Sequence, residues 1–489
     1  MTTRILGLET EYGCLVKDEG LGPDENVVEH LKNLAFDQRY GLLDRHGHDS
    51  FFEPSESGGF LRNGGRLYVD AVGSHLEYAT PECTALADVV AYDKAGQRLI
   101  QTLLQQLGWQ ERVNIYNNSI DHFTGNTFGC HENYSLSEGG LTSGRLVSSL
   151  VPFLVTRQIF AGAGRVGGHQ LTNHVKESHL RNLSRHPADY MYLDQIYGVE
   201  PDPAVDFQLS QRADHILYVL SGRVRFHRAL INPKWDDTHS LCRFPRLHLL
   251  FGEANASEYA IALKMGTTSL VLDLVEEGFD NAMVALSNPI RTLKQVSRDP
   301  SWKWVVGRQK GGTICSVDLQ RLYLKEGRHR YAGRDAQTDW VLNQWEYVLD
   351  RLESDPMSLA DRLDWCAKRK MLELFMAQEG VRWHDEMMYS LDLEYHNTDP
   401  QQGLFYALQE VDQFQRVSDE RRIFHAISHA PATTRAAGRS VVIEGLMERK
   451  QSHYVIEWDG VLADEDRVLL FEDPFHTYVK EAKDFLKLF

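Results

Sequence analysis

Two stretches in the first eighty residues alternate with a period of two, and that pattern limits the fold more than anything else in the chain. In Ile5–Tyr12, ILGLETEY, a strand places Glu9 and Glu11 on one face and Leu8 and Thr10 on the other. In Arg66–Asp70 the same rule puts Arg66, Tyr68 and Asp70 together, with Leu67 and Val69 turned to a core. A turn containing Gly73 then leads to a second run with Glu77, Tyr78, Thr80 and Glu82. Neighbouring carboxylates repel unless a cation or proton lies between them, so Glu9 and Glu11 point to metal coordination. Arg66, Asp70 and Glu77 supply what a phosphate-handling magnesium site requires: acids for the metal and a guanidinium for phosphate oxygens. The same residues also suit a surface hairpin with solvated charges.

Further along, Asn26–Phe36 and Ala85–Leu107 have helical spacing of apolar residues, and Val113–Asn118 reads as a strand. His46 and His48 lie in a Gly-rich loop and read as solvated. In His131-Glu132-Asn133-Tyr134 an extended chain sends His131 and Asn133 one way and Glu132 and Tyr134 the other; Glu132 is a candidate metal ligand. The glycine cluster Ala161–Gly168, AGAGRVGG, lacks the Lys-Ser/Thr of a phosphate loop and reads as a hinge or turn. Arg223, Arg225, Arg228, Arg246, His248 and Lys264, the last expected on a strand, are proposed to line a groove for an anionic ligand. Leu319–Leu324, Trp340–Leu352 and Leu359–Gln378 read as helices, Tyr454–Trp458 as a strand, and a last helix follows Asp473-Pro474. The polar run before Pro431 suggests a division near 415, with domains 1–415 and 416–489.

A chain of 489 residues with net charge −17 is expected to avoid non-specific nucleic-acid binding and anionic membranes. Six cysteines without any Cys-x-x-Cys pair indicate neither a zinc ribbon nor a disulfide framework. The chain runs directly into Arg4-Ile5-Leu6-Gly7 with no leader pattern, and no apolar run approaches a membrane span; a cytoplasmic protein is expected.

Taken in order, GLETEYG, FLRNGGRLYVDAVGSHLEYATPEC, GNTFGCHENY, VPFLVTRQ, RLHLLFGEANASE, NPIRTLKQVSRD, TTRA and EDPF resemble the Pup ligase family, itself similar to glutamine synthetase and γ-glutamyl-cysteine ligases. The resemblance implies an α+β fold: a glutamine-synthetase-like curved antiparallel sheet packed with helices, plus a small C-terminal domain. It also implies ATP and Mg²⁺, with Pup or a Pup-like modifier and lysine-bearing target proteins as partners. The reaction implied is phosphorylation of the modifier's C-terminal glutamate side chain, followed by lysine attack to give an isopeptide bond. Carried over by residue, Glu9, Tyr68 and Glu77 match magnesium-site positions, with Glu11 a further one. Arg66, Thr80, Trp458 and Arg435 match the nucleotide side, Arg246 and His248 the substrate side, and Asp70 the catalytic proton acceptor. The chain departs from the family pattern at Asn232-Pro233-Lys234-Trp235-Asp236-Asp237-Thr238-His239 and at Phe251-Gly252-Glu253, where recognition of the modifier is expected to differ. The alternatives are a Pup deamidase or depupylase acting on the same linkage, and a small-molecule carboxylate-amine ligase. The compact segment between Cys14 and Gly59 and the terminal EDPF favour the ligase.

Overall fold

The computed structural model describes residues 4–45, 56–70, 75–122, 125–137, 141, 143–172, 198–222, 228–233, 244–281, 283–411, 414–464 and 467–489. His46, His48, Arg223, Arg225 and residues 234–239 lie outside these. The alternating stretch at the start forms the axis of the molecule. β1 (Leu6–Val16) pairs antiparallel with β5 (Leu76–Ala79) on one side and β7 (Cys130–Ser135) on the other, and its second half pairs with β6 (Val113–Tyr116).

β4 (Arg66–Val69), β3 (Gly58–Leu61) and β2 (Gly41–Leu43) continue the sheet beyond β5. Beyond β7 come β14 (Arg246–Leu249), β13 (Ala229–Pro233) and β12 (Tyr218–Leu220). Of these pairings only β12–β13 is parallel. Small ribbons form from β8 (Arg165–Val166) with β11 (Phe207–Gln208), β9 (His169–Thr172) with β10 (Gly198–Pro201), and β15 (Val305–Gly307) with β16 (Thr313–Cys315).

Because side chains alternate across each strand, one sheet face is apolar and packs on helices. Leu6, Leu8, Tyr134, Leu247 and Leu249 join the main core with helices Leu86–Leu107 and Glu258–Glu276. Tyr78 lies on the same face and meets Gly96, where an added Cβ would stand 2.4 Å from the ring. Helix Glu258–Glu276 starts on Ser257, whose hydroxyl accepts the Ala260 N–H, and is buried on nearly every side. Lys264 belongs to this helix and not to a strand. Its ammonium is buried, donating to the Glu253 carbonyl at 2.7 Å and to Asn255 Oδ1 at 2.9 Å, so it lines no groove. A helix buried all round lacks the amphipathic period that would distinguish it from a core strand.

Helices Ser316–Tyr331, Ala336–Ser354 and Asp364–Glu379 extend that core; the first two run beyond the apolar spans Leu319–Leu324 and Trp340–Leu352, whereas the third starts at Asp364, after a short turn Pro356–Leu359, and not at Leu359. Residues 161–168 form a buried turn rather than an exposed hinge; Lys368 Nζ donates to the Gly164 carbonyl at 2.8 Å. At the C-terminus, helix Ala436–Arg449, the strands β17 (Tyr454–Ile456), β18 (Gly460–Ala463) and β19 (Arg467–Leu470), and helix Val479–Leu486 enclose a separate small core. Phe60 of β3 is its one residue from the main sheet among the fully buried members. Helix Glu420–Ala426, which a division at 415 assigns to the small unit, packs Ile423 and Ala426 into the main core.

Candidate active site

The face of the sheet turned away from the helices carries the polar residues. Strand register lines them up: Glu11 pairs with Glu77, Glu77 with Tyr68, and Glu9 stands between Ala79 and His131. On β14, His248 pairs with Asn133 and Arg246 with Ser135. Residues far apart in sequence thus form one row across β4, β5, β1, β7 and β14.

Two groups of ligating atoms, each within 4.8 Å of one another, lie on this row: Glu11, Asp70 and Glu77, and Glu9, His131 and His248. In the first, burial together with the charges of Glu11, Asp70 and Glu9 pushes the Glu77 carboxyl well above the usual carboxylate range. Tyr68 donates its phenol to Glu77, and burial with the charges of Glu77 and Glu9 pushes that phenol up as well. Glu11 moves the other way. Burial opposes its ionisation, but the His75 hydrogen bond and charge bring it down to about 2, with His75 Nδ1 at 3.0 Å from Glu11 Oε2.

In the second group, Glu9 Oε2 lies 3.3 Å from His131 Nδ1 and 3.2 Å from His248 Nε2. Its Oε1 accepts from Asn133 Nδ2 at 3.0 Å and from Arg246 Nη1 at 3.3 Å. Burial lowers His248 to about 4, so at neutral pH it meets Glu9 as a neutral imidazole. Glu9 itself is held well below the ordinary range: burial opposes ionisation, and His248, His131 and Arg246 outweigh it. Arg246 is half exposed at the rim and also donates to Asn133 Oδ1 at 3.0 Å.

The residues expected on the nucleotide side, Arg66, Thr80, Arg435 and Trp458, fall in three places. Arg66 donates from Nη2 to Asp44 Oδ2 at 3.0 Å, with its guanidinium 4.7 Å from the Tyr68 ring centre. Thr80 is buried, and its hydroxyl accepts the Leu8 N–H at 3.0 Å, which ties β5 to β1. Arg435 and Trp458 lie in the C-terminal part. Arg435 donates to Glu82 Oε1 at 2.7 Å and to the Phe471 carbonyl at 2.9 Å, and the Trp458 ring stands 5.0 Å from Phe60.

The structure turns Glu132 away from this face. It is fully buried on the helix side, where both its oxygens accept from Arg157 at 2.6 and 2.9 Å. His131 and Asn133, its neighbours, are the residues that reach the site. They were legible as a pair on one face, but only the β1–β7 register shows that this face is the one bearing Glu9. His75 and Asp44 carry no local signal and enter through the ends of the hairpin strands.

Among the described residues, Arg291 and Lys294 border a groove elsewhere, while Arg298 at its edge is paired with Asp202 and Asp214 at 2.8 and 2.7 Å. A cavity of about 770 Å³ is bordered by Leu217, Ile290, Arg291, Lys294 and Arg298. It lies beside the β12 end of the sheet, with three strands between β12 and β1.

Residues 4–462 match the family described as Pup-ligase protein. A Pup–protein ligase of Kineococcus radiotolerans is 33% identical, with 97% of each chain aligned. One from a Nocardioides species is also 33% identical, over 98% of each. The solved complex between Pup and its ligase PafA superposes on the whole of this chain and 91% of the other at TM-score 0.79 and 26% identity. The structure of PafA with ADP does so over 98% of this chain and 96% of the other, at TM-score 0.73 and 27% identity. With matches of this length to both sequences and structures, the chain belongs to the Pup-ligase protein family.

Proposed function

We infer that this chain is an ATP-dependent ligase that joins the side-chain carboxylate of the C-terminal Glu of Pup, or of a Pup-like modifier, to lysines of target proteins through a γ-glutamyl phosphate. The observation that carries this reading is the convergence of Glu11, Glu77, Tyr68 and Asp70 on one sheet face, in a chain aligned end to end with Pup–protein ligases. The deamidase and small-molecule readings have no comparable support, because the Kineococcus, Nocardioides and Kribbella relatives that align over nearly the whole chain are Pup–protein ligases.

The donor set fits magnesium. Burial and the neighbouring Glu11, Asp70 and Glu9 resist ionisation of Glu77, a penalty that a divalent cation among these carboxylates would offset, and the all-oxygen donors of this cluster suit a hard ion. We assign Glu11 and Glu77, with the phenol of Tyr68, to one such ion; Glu9, flanked by the imidazoles of His131 and His248, offers a mixed oxygen and nitrogen set and is assigned to the metal side through its carboxylate. Bound there, magnesium supplies offsetting charge for the phosphoryl group in transfer. Arg66, oriented by Asp44 and the Tyr68 ring, is assigned to the nucleotide phosphates, with Thr80 holding its strand in register. Asp70, at the more open end of its cluster, is assigned to take the proton from the attacking lysine. Arg246 and His248 fix the charge state of Glu9 on the modifier's side. Arg435 acts on the nucleotide side by anchoring the C-terminal unit to Glu82.

The groove bordered by Arg291 and Lys294 is our candidate path for an acidic modifier. Among the described residues no helix is long and apolar enough to cross a membrane, in keeping with the cytoplasmic site of action proposed here. The test combines purified protein, ATP, Mg²⁺, a Pup-like chain ending in Glu and a lysine-bearing target. A covalent conjugate is expected. Ammonia release from a Gln-ending modifier without conjugation would instead establish the deamidase, and turnover with free amino acids alone the small-molecule ligase.

A further inference from the structure

One fully buried arginine joins the small C-terminal core to the site face, and none of the roles above uses it. Arg439 has its guanidinium 4.8 Å from the Trp458 ring centre and 5.2 Å from that of Phe60. Its N–H groups reach Glu82 Oε1 at 3.2 Å and Glu82 Oε2 in a close contact, the Gly64 carbonyl at 3.1 Å and the Trp458 carbonyl at 2.6 Å. Glu82 follows β5 by three residues, so the carboxylate that seats Arg439 is carried by the same hairpin as Glu77. Across the Phe60 ring stands Arg66, its guanidinium 5.9 Å from the ring centre. Phe60 and Trp458 meet edge to face at 77°.

These contacts fix the indole by its backbone and by one of its faces while the ring stays only half-buried. We propose that Arg439 is a positioning residue for the nucleotide: seated on Glu82, it holds the Trp458 indole beside Phe60 and Arg66 so that the ring's remaining face can stack on a purine base. This rests on the assignment of Trp458 to the nucleotide side. A guanidinium suits the task because its planar fork serves a carboxylate and two carbonyls while its face lies on an aromatic ring. A lysine keeps the charge but cannot make that set of contacts.

The test uses the full chain with 5-fluorotryptophan incorporated, the Trp458 fluorine signal being identified by its loss in W458F. R439K is expected to raise the KM for ATP about tenfold, while kcat at saturating ATP and the KM for the modifier stay within about twofold. The Trp458 signal should broaden in R439K without nucleotide and sharpen when ADP is added. E82Q provides a second variant that leaves Arg439 in place, should R439K not give a cooperative melt; a smaller rise in the KM for ATP is expected. If W458F weakens ATP binding and neither R439K nor E82Q does, the positioning role is overturned and the assignment of Trp458 survives. If W458F also leaves ATP binding unchanged, that assignment fails and the proposal falls with it. Equal losses for ATP and modifier would mean a general structural role, which also overturns it.

Discussion

Asp70 and Glu77 share one cluster yet are assigned different work, and substitutions that remove charge without changing shape separate the two. Asp70→Asn keeps the size and loses the proton acceptor. Ligation should fall by about 10²–10⁴-fold, the usual worth of a positioned base, while ATP binding measured by calorimetry stays within about twofold. A loss of nucleotide affinity as large as the loss of rate would remove Asp70 from the role of base. Glu77→Gln acts in two opposite directions. Glu77 is the acid whose ionisation burial, Glu11, Asp70 and Glu9 resist, so neutralising it relieves repulsion in the metal-free protein. Melting in EDTA should rise by roughly 2–4 °C, the shift expected for a stabilisation of about 1 kcal/mol in a large domain. The increment on adding Mg²⁺ should shrink, because a ligand is gone. A variant that melts lower in EDTA and keeps the full Mg²⁺ increment would show that Glu77 is no metal ligand.

At the scale of elements, what could be read in the sequence was whatever a strand decides locally. Glu9 with Glu11, and Arg66 with Tyr68 and Asp70, were separable from Leu8, Thr10, Leu67 and Val69 by alternation alone, and the sheet places them so. Pairing between strands is not local. His131 was recognisable as facing away from Glu132, but its place beside Glu9 depends on a β1–β7 register linking residues more than a hundred positions apart. Lys264 departs from its sequence expectation for a different reason. IALKMG is apolar enough for a strand, and only the capping Ser257 and the length of the segment mark the buried central helix. The contact of helix Leu86–Leu107 with β5 is equally invisible in sequence, because its critical residue is a glycine inside a helix. Gly96 sits where a methyl would meet the Tyr78 ring at 2.4 Å, on the strand between Glu77 and Ala79. Alanine would gain about 1 kcal/mol in helix propensity, but forcing a methyl into a packed core costs about 1–3 kcal/mol. The clash should win, so Gly96→Ala is expected to lower the melting temperature. Because Tyr78 shares its strand with Glu77, Mg²⁺ affinity should fall as well. A more stable variant would show that the helix can move off the sheet without cost.

Over the whole molecule, a net charge of −17 makes long-range approach of an acidic modifier unfavourable, so cations must act locally. Arg291 and Lys294, one helical turn apart on helix Pro289–Arg298, border the groove beside β12. Lys294→Glu should weaken modifier binding and flatten its dependence on salt, as read by titration between low and physiological ionic strength; unchanged affinity would exclude the groove. Charge also governs how the fold responds to acid. Burial lowers His169 to about 3 and His248 to about 4 from an ordinary 6.5, and holds His215 and His396 well below that value. His169 and His215 contact each other at 3.1 Å; Arg165, Arg212 and Arg228 add repulsion to the burial of His215, and Asp214 only partly relieves His169. A base whose folded pKa is depressed is neutral in the fold while the unfolded chain takes up a proton. Its contribution to stability is therefore complete above about pH 6.5 and is lost as pH falls towards the folded values. The depressed acids Glu9 and Glu132 and the Asp392 carboxylate act in the same direction, but only near and below their ordinary values of 4.5 and 3.8. Glu77, raised by burial and its neighbouring acids, acts in the opposite direction, and saturating Mg²⁺ bound at this carboxylate would offset that contribution. Between pH 7 and pH 5, with Mg²⁺ present, the melting temperature should fall, and His215→Gln should reduce that slope by removing one group that the fold keeps neutral. A slope untouched by this substitution would place the acid sensitivity outside the histidine pair.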